Sequence, residues 1–279
     1  MFARGDGGRI HDIVMKAINS SKDFCAIPYG RSEISIETDH DKVKEYWRRY
    51  CAVEKNWKRP DVLLLPKSVV ARRRGAWRSL LEDPTTTPDK KMAALLRHAI
   101  CGIECENSLW KTKKMPDLNT ALPLTKLGII APRIWVKEED TEGLSSWNRH
   151  FHKPIFIVQV FFDRAYLVRY KKVISRARRI KKLKSKAKRN AAQKRLGIIF
   201  EDWPYADSRT GRSTNKLVYT SHHTLGIGFA KFYERPRYSS RMKTTPNGKM
   251  MPYVKFVGSR MRLTADALNL FRATRRSGQ

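Results

Sequence analysis

Hydrophobic residues recur at helical spacing over residues 10–20, where Ile10, Ile13, Val14, Ala17 and Ile18 share one face, and this predicts a short helix. A second helix is predicted from Asp39 or Asp41 to about Glu54, with Val43, Tyr46, Trp47 and Tyr50 on one side and Lys42, Lys44, Glu45, Arg48 and Arg49 on the other. The period then changes. Residues 62–65 form a short aliphatic run between Pro60 and Pro66, the signature of a buried strand with Asp61 at its entrance. Thr87 or Asp89 is placed to cap a helix through Met92, Ala93, Leu95, Leu96 and Ile100, which leads into a strand around Ile103. Ile129, Ile130, Ile134 and Val136 predict a further strand over 128–137 that ends at Lys137, and a helix near 144–151 connects it to residues 154–162, the strongest strand signal in the chain. Strands separated by helical patterns predict an α/β fold with a mixed central sheet flanked by helices.

Past residue 168 the pattern changes twice. Between Arg169 and Arg195 about half the residues are Lys or Arg and none is acidic, while Val173, Ala177, Ile180, Ala187 and Ala191 keep near-helical spacing. A long basic helix with a thin apolar seam is expected over 169–196, the seam suiting a core contact or a dimer contact equally. From residue 197 the chain turns β-rich, over 217–233 and 253–263, with a turn at Pro246-Asn247-Gly248 and a final helix through Leu268 and Phe271 capped by Thr264. The expected division is therefore N-terminal helices with an α/β core over 1–168, the basic helix over 169–196, and a β-rich C-terminal appendage over 197–279. The last boundary is soft, and one continuous domain is the alternative.

Charge narrows the partners. The 279 residues carry 58 Lys plus Arg against 26 Asp plus Glu, a formal net charge of +32, so the dominant long-range force is attraction to polyanions. No stretch approaches the roughly 18 apolar residues of a membrane span, and residues 1–8 contain no apolar core of a signal peptide, so a cytoplasmic protein without a membrane partner is expected. Cys25, Cys51, Cys101 and Cys105 are too few and too irregular for a disulfide framework, which fits a reducing cytosol. Cys101-x3-Cys105 is half of a zinc spacing with no second pair near it in sequence. Within the basic helix, Lys172, Arg176, Arg179 and Lys182 are candidate contacts to a phosphate backbone, because like charges along a helix repel unless counterions or phosphates screen them. A solvated charged face is the plain alternative.

Against this basic background, acidic groups stand in two apolar settings. Asp61 abuts the run 62–65, and Glu104 and Glu106 lie within a second run beginning at Gly102. A carboxylate there is costly unless a cation or proton compensates it. Phosphodiester hydrolysis uses such groups, since divalent ions polarise the phosphate and lower the pKa of bound water, and Mg2+ is held by a few carboxylate oxygens. Glu106 projects from the same strand face as Glu104, about 7 Å along, so Asp61, Glu104 and Glu106 form a candidate ligand set if the two strands are neighbours.

Pro60-Asp61 followed by Glu104-Cys105-Glu106 resembles the motif of the PD-(D/E)xK nuclease superfamily, to which most type II restriction endonucleases belong. The resemblance covers roughly residues 39–169. It implies a restriction-endonuclease-like core, Mg2+-dependent hydrolysis of double-stranded DNA leaving 5'-phosphate and 3'-hydroxyl ends, and metal ligation by Asp61 and Glu104. The family usually carries lysine at the third position, where this chain has Glu106, a variant that some restriction enzymes share. Glu106 is suited to accept a proton from the attacking water or to bind a second metal. If a lysine is still required, Lys111, Lys113 and Lys137 are the candidates; Lys137 is favoured because it ends a neighbouring strand, and Lys111 and Lys113 otherwise serve as DNA contacts. Cutting both strands of a palindromic site implies a homodimer, and restriction implies a cognate DNA methyltransferase as genetic partner.

Base reading needs side chains aimed into a groove. The segment 235–245, with Arg237, Arg241 and Lys243, is one candidate, and Arg209, Arg212, Ser213, Thr214 and Asn215 form another; solubilising loops are the alternative for both. His150-x-His152 and His222-His223 lack an acidic or cysteine partner in sequence and are expected to bond locally or touch DNA. Glu138, Glu139 and Asp140 suit the positive end of a helix better than the metal site itself. Gly226-x-Gly228 lacks the rest of a phosphate-binding loop. Two rival functions remain, a structure-specific repair or recombination nuclease of the same fold and a non-catalytic nucleic-acid-binding protein.

Overall fold

Residues 10–30, 40–53, 56–107, 133–206, 213–221, 226–244 and 250–277 are described by a computed structural model of the chain. The helix α1 (Ile10–Asn19) buries Ile13, Val14, Ala17 and Ile18, the face its spacing predicts. It is followed by β1 (Phe24–Pro28), α2 (His40–Val53) and β2 (Val62–Pro66), whose five residues are all buried. The short helices α3 (Lys67–Arg73) and α4 (Arg78–Glu82) precede α5 (Asp89–His98) and β3 (Cys101–Asn107). After β4 (Arg133–Lys137), α6 (Glu138–Phe151) leads into β5 (Ile155–Val160) and β6 (Arg164–Arg169).

The mixed sheet runs β1-β2-β3-β5-β6 and is extended by β9 (Ile227–Glu234) and β12 (Arg260–Leu263) into seven strands. Only β3 and β5 are parallel among these neighbours; the other pairs are antiparallel. A parallel pair cannot close through a hairpin, and α6 lies in the connection between β3 and β5. Alternation within β2 explains how the sheet buries both faces. Leu63 and Leu65 join a core with Val69 of α3, Leu95 of α5 and Trp147 of α6, while Val62 and Leu64 join another with Val14 of α1. In β3, Cys101, Ile103 and Cys105 belong to the second core, which leaves Gly102, Glu104 and Glu106 on the face of α6.

Several elements differ from expectation. The basic segment is two helices, α7 (Tyr170–Lys181) and α8 (Lys186–Leu196), not one. The chain turns at 182–185, where Leu183 packs against the core and the Ser185 hydroxyl accepts the Lys188 N–H at 3.4 Å. The seam is correspondingly interrupted: Val173, Ala177 and Ile180 are buried in the core of the same chain, whereas Ala187 and Ala191 are exposed and Ala192 is buried instead. For α7 the seam is thus a core contact and not a free dimer surface. The strand ending at Lys137 pairs outside the main sheet, with β8 (Ser213–Ser221), which also pairs β7 (Ile198–Ala206). Residues 128–132, in its expected first half, lie outside the described residues.

The expected C-terminal appendage is dispersed as well. Its strands β7 and β8 go to β4, β9 and β12 complete the main sheet, and β10 (Arg237–Thr244) pairs β11 (Met250–Val257) in a ribbon of two. The final helix α9 (Ala265–Ser277) returns to the α1 side, where Phe271 meets Phe24 and Phe156 edge-on at 5.7 and 5.9 Å. Thr264 caps it as predicted, accepting the Ala267 N–H at 3.1 Å and donating to the Gly228 carbonyl at 2.5 Å. The predicted cap of α5 is replaced: Pro88 occupies that place, and Asp89 turns to Tyr29, Trp57 and Arg59. The helix expected at 144–151 starts earlier, at Glu138. No helix among the described residues is long and apolar enough to cross a membrane.

Candidate active site

The site is assembled where the irregular segment 56–61 meets β3 and α6. Arg59 is fully buried, 2.6 Å from Asp89, 4.6 Å over the Tyr29 ring, and donates to the carbonyls of Thr85 and Thr87 at 3.1 and 2.6 Å. The Trp57 indole N–H also reaches Asp89, at 2.8 Å. With Trp57 and Arg59 anchored there, Lys58 between them faces the other way, toward Glu104 and Asp140. Two glycines permit the approach. A Cβ on Gly102 would run into the Pro60 ring and Trp147, and one on Gly143 of α6 would lie 2.7 Å from the Lys58 Cβ.

Asp61 opens β2 beside Glu104, as the pairing of Val62 with Ile103 requires. Its Oδ2 accepts the Cys105 N–H at 2.8 Å and stands 3.5 Å from His11 Nε2 of α1, while its carbonyl accepts the N–H groups of Tyr29 and Gly30. Glu104 is 5% exposed; its Oε1 accepts from Lys58 Nζ, and its Oε2 is buried without a partner among the described residues. The same Lys58 ammonium lies 2.9 Å from Asp140 Oδ2.

Electrostatics follow from this crowding. Burial holds the Glu104 carboxyl well above the usual range, the charge of Asp61 adds to the rise, and Lys58 opposes it. Burial likewise pushes Glu106 up to about 8 against the pull of Lys137 and Lys58. Burial disfavours the Lys58 ammonium, but Glu104, Asp140 and Asp61 outweigh it and hold its pKa well above the ordinary value. Lys137 behaves the same way, burial being overcome chiefly by Glu106 and then Asp140.

Four carboxylates therefore share a largely buried site with two ammonium groups. That excess, and the unpartnered Glu104 Oε2, suit a hard divalent cation, which favours carboxylate oxygens. Among the described residues no three His, Cys, Asp or Glu side chains are gathered at metal-ligating distance, and Lys58 stands between Glu104 and Asp140. Asp61, Glu104 and one of Glu106 or Asp140 are the residues that would hold such an ion.

Of the residues expected from sequence, the fold brings Asp61, Glu104, Glu106 and Lys137 together. Asp140, read as part of an acidic helix start, is at that start but is also buried in the site, because the first turn of α6 faces β3. Sequence reasoning missed Lys58, His11 and Gln159 altogether. The available signal was strongest for Gln159, a polar residue in an otherwise apolar strand; it is fully buried, pairs with Glu106 across β3 and β5, accepts the Trp135 N–H at 3.5 Å and has its Nε2 unpartnered among the described residues.

The other candidates scatter. Lys172, Arg179 and Lys182 are exposed on and just after α7, and Arg176 donates to the Leu196 carbonyl at 3.4 Å. Ser213, Thr214 and Asn215 begin β8, and Arg237, Arg241 and Lys243 lie on β10. Lys111, Lys113, Arg209, Arg212, His222-His223 and the turn at 246–248 fall outside the described residues. His150 stacks on Trp57 with centroids 4.4 Å apart, and His152 takes the left-handed conformation that ends α6. Cys101 and Cys105 are free, buried thiols on the α1 side of the sheet. Compared with family models, curated proteins and solved structures, the chain matches none.

Proposed function

We propose that this protein is a Mg2+-dependent endodeoxyribonuclease of the PD-(D/E)xK type, and specifically a type II restriction endonuclease that hydrolyses double-stranded DNA to 5'-phosphate and 3'-hydroxyl ends. The observation that carries the reading is the cluster of Asp61, Glu104, Glu106 and Asp140, with an unpartnered buried Glu104 oxygen, inside a chain of net charge +32. Binding alone requires only the positive surface; it leaves four carboxylates crowded at the entrance of β2, along β3 and at the start of α6 without a purpose.

Within this reading Asp61 and Glu104 hold the metal, Asp61 fixed by the Cys105 N–H. The bound ion supplies Lewis-acid polarisation of the scissile phosphate and a lowered pKa for water. Glu106, whose raised proton affinity suits a base near neutral pH, receives the proton of the attacking water on its carboxylate. Lys58, bonded to Glu104, and Lys137, beside Glu106, place positive charge where the family's third-motif lysine acts. Exposed Lys172, Arg179 and Lys182 bind phosphate. A second copy of the chain and a cognate DNA methyltransferase complete the restriction reading, in the cytoplasm.

Incubation of plasmid and phage DNA with the protein in Mg2+, beside the Glu104→Gln variant, tests it. Discrete fragments lost in the variant are expected. A smear or cutting confined to branched DNA replaces restriction by a structure-specific nuclease, and unchanged DNA with retained binding leaves a non-catalytic binder.

A further inference from the structure

On the face that carries α6, the seven-stranded sheet changes character across its width. Glu106, Gln159, Tyr166 and Gly228 form one cross-strand row over β3, β5, β6 and β9. Two residues farther along β6, toward the end at which β3 and β5 finish, Arg164 lies opposite Lys231 of β9, and Lys231 lies opposite Arg262 of β12. Cross-strand partners share a face. Ala165, Ala230, Met261 and Leu263 are buried in the core of the other face, from which α1 and α9 pack on β12 and β9. Alternation therefore puts the three cations on the α6 face, and all three are exposed there. Tyr166 and Val168, on the same face of β6, are buried in the core that α6 and α7 cover.

The fold by itself does not favour such a row. Like charges directly opposite one another destabilise a sheet, and here three stand on neighbouring strands about 4.8 Å apart. None of the three forms an ion pair among the described residues. One row farther, Arg260 opposite Glu234 does pair, at 3.2 Å. The register shift between these rows leaves Tyr233 without a partner on β12, and at 64% exposure it is the one large hydrophobic side chain exposed among the described residues. A polyanion laid on the row relieves the repulsion, and Arg, Lys and Tyr are all phosphate-contacting side chains. Position favours a long, stiff one. Arg164 stands two strands and two residues from Glu106, about 12 Å, and Arg262 about 20 Å, which at 3.4 Å of rise is about four to six base pairs of a DNA duplex. One duplex crossing the carboxylates therefore reaches the row. A membrane surface would call for more exposed apolar area than one tyrosine.

We propose that the β6–β9–β12 face binds the phosphate backbone of double-stranded DNA through Arg164, Lys231 and Arg262, with the Tyr233 hydroxyl as a further contact. That this duplex is the one cut at Asp61, Glu104 and Glu106 rests on the nuclease function proposed above. Contacts of this kind hold the duplex in place and carry no base preference.

The test is fluorescence anisotropy of a labelled, roughly 30-base-pair random-sequence DNA duplex with the full chain in EDTA, where no cleavage is needed, over a series of salt concentrations. The variant R164Q/K231Q/R262Q is expected to bind about tenfold more weakly at 0.1 M salt, with the salt slope flattened by about 2.7, or 0.9 for each phosphate no longer neutralised. The control R72Q/R73Q/R97Q removes as much charge from the other end of the sheet, where α3 follows β2 and where the Arg97 carbonyl accepts Lys153 Nζ at 3.0 Å just before β5. It is expected to weaken binding by less than about threefold. Lys231→Glu separates binding from folding, because an acid between Arg164 and Arg262 satisfies the sheet and repels phosphate: its melting temperature should rise while its DNA affinity falls. Equal losses in the two triple variants, unchanged affinity in R164Q/K231Q/R262Q, a lowered melting temperature for Lys231→Glu, or loss of duplex RNA binding with duplex DNA binding retained overturns the proposal. The expected losses without any Mg2+-dependent cutting leave the surface standing and remove only the nuclease.

Discussion

The acidic site and the helix α8 carry charge under opposite conditions. At the site Glu104 and Asp140 are buried and Lys58 is shared between them, so each charge depends on the others. On α8 only Ala192 is buried, and Lys186, Lys188, Lys194 and Arg195 stand exposed, where solvent and salt screen them, while Arg189 is half-buried and donates to the Leu183 and Lys184 carbonyls. Removing a charge from the first region disturbs protonation, packing and chemistry together. Removing one from the second changes only the long-range attraction. The same residue type thus serves two purposes, and burial decides which.

Glu104→Gln presses hardest on this contrast. It should lower Mg2+-dependent cleavage about a thousandfold or more, some 4 kcal/mol of barrier, while gel-shift affinity for duplex DNA in EDTA stays within twofold of the unaltered protein. Comparable losses in both assays would merge the two regions into one functional surface.

Lys58→Met comes next. Breaking a buried pair by deleting one partner costs about 3–5 kcal/mol, and the 26% exposure of Lys58 places the expected loss near the lower end, about 3 kcal/mol, in urea unfolding at pH 7. Added Mg2+ should return part of that stability through the uncompensated carboxylates. A variant as stable as the parent would show that Lys58 is not holding Glu104 and Asp140 together.

A smaller effect is expected from pH. Glu106 is raised from 4.5 to about 8 in the folded protein, so its folded form binds more protons than its unfolded form between those values. Its contribution to stability is complete below about pH 4.5 and declines as pH rises toward and through 8. Metal-free thermal melts should show this decline, the Glu106→Gln variant should flatten it, and Mg2+ should offset it by favouring the ionised carboxylate. An unchanged slope in the variant would remove Glu106 as its source.

Neutralising Lys186, Lys188 and Lys194 of α8 should matter least to the fold, shifting stability by under about 0.5 kcal/mol. Random-duplex affinity should fall, and the salt slope should flatten by about 0.9 for each phosphate that the helix no longer neutralises. A large drop in melting temperature would mean that α8 is more than a charged face.

Elements whose pattern is local were legible. Val14 and Ile18 of α1, the aliphatic run of β2, the Thr264 cap and the strong β5 signal are set by neighbours a few residues away. The proximity of Asp61, Glu104 and Glu106 was legible for a related reason, since each abuts a strand and strands pair. Lys58 was hidden because its direction depends on Trp57 and Arg59 both reaching Asp89, some thirty residues away. Asp140 was hidden because an acidic first turn has a sufficient local explanation in the helix dipole. The basic segment's single period concealed its break, whose cause is the packing of Leu183 and the Ser185 cap.

Short-range order in the chain therefore specified β2, β3, β5 and most helices, the charge imbalance and three of the four clustered carboxylates, because periodicity and propensity act over one or two turns; β1, β6, β7 and β10 carried no signal that set them apart as strands. Packing alone assigned β4 to β8, drew β9 and β12 into the main sheet, and turned Lys58, Asp140 and Gln159 toward Glu104 and Glu106. Such pairings join residues tens of positions apart, and their energy comes from surfaces buried against one another, which no local period encodes.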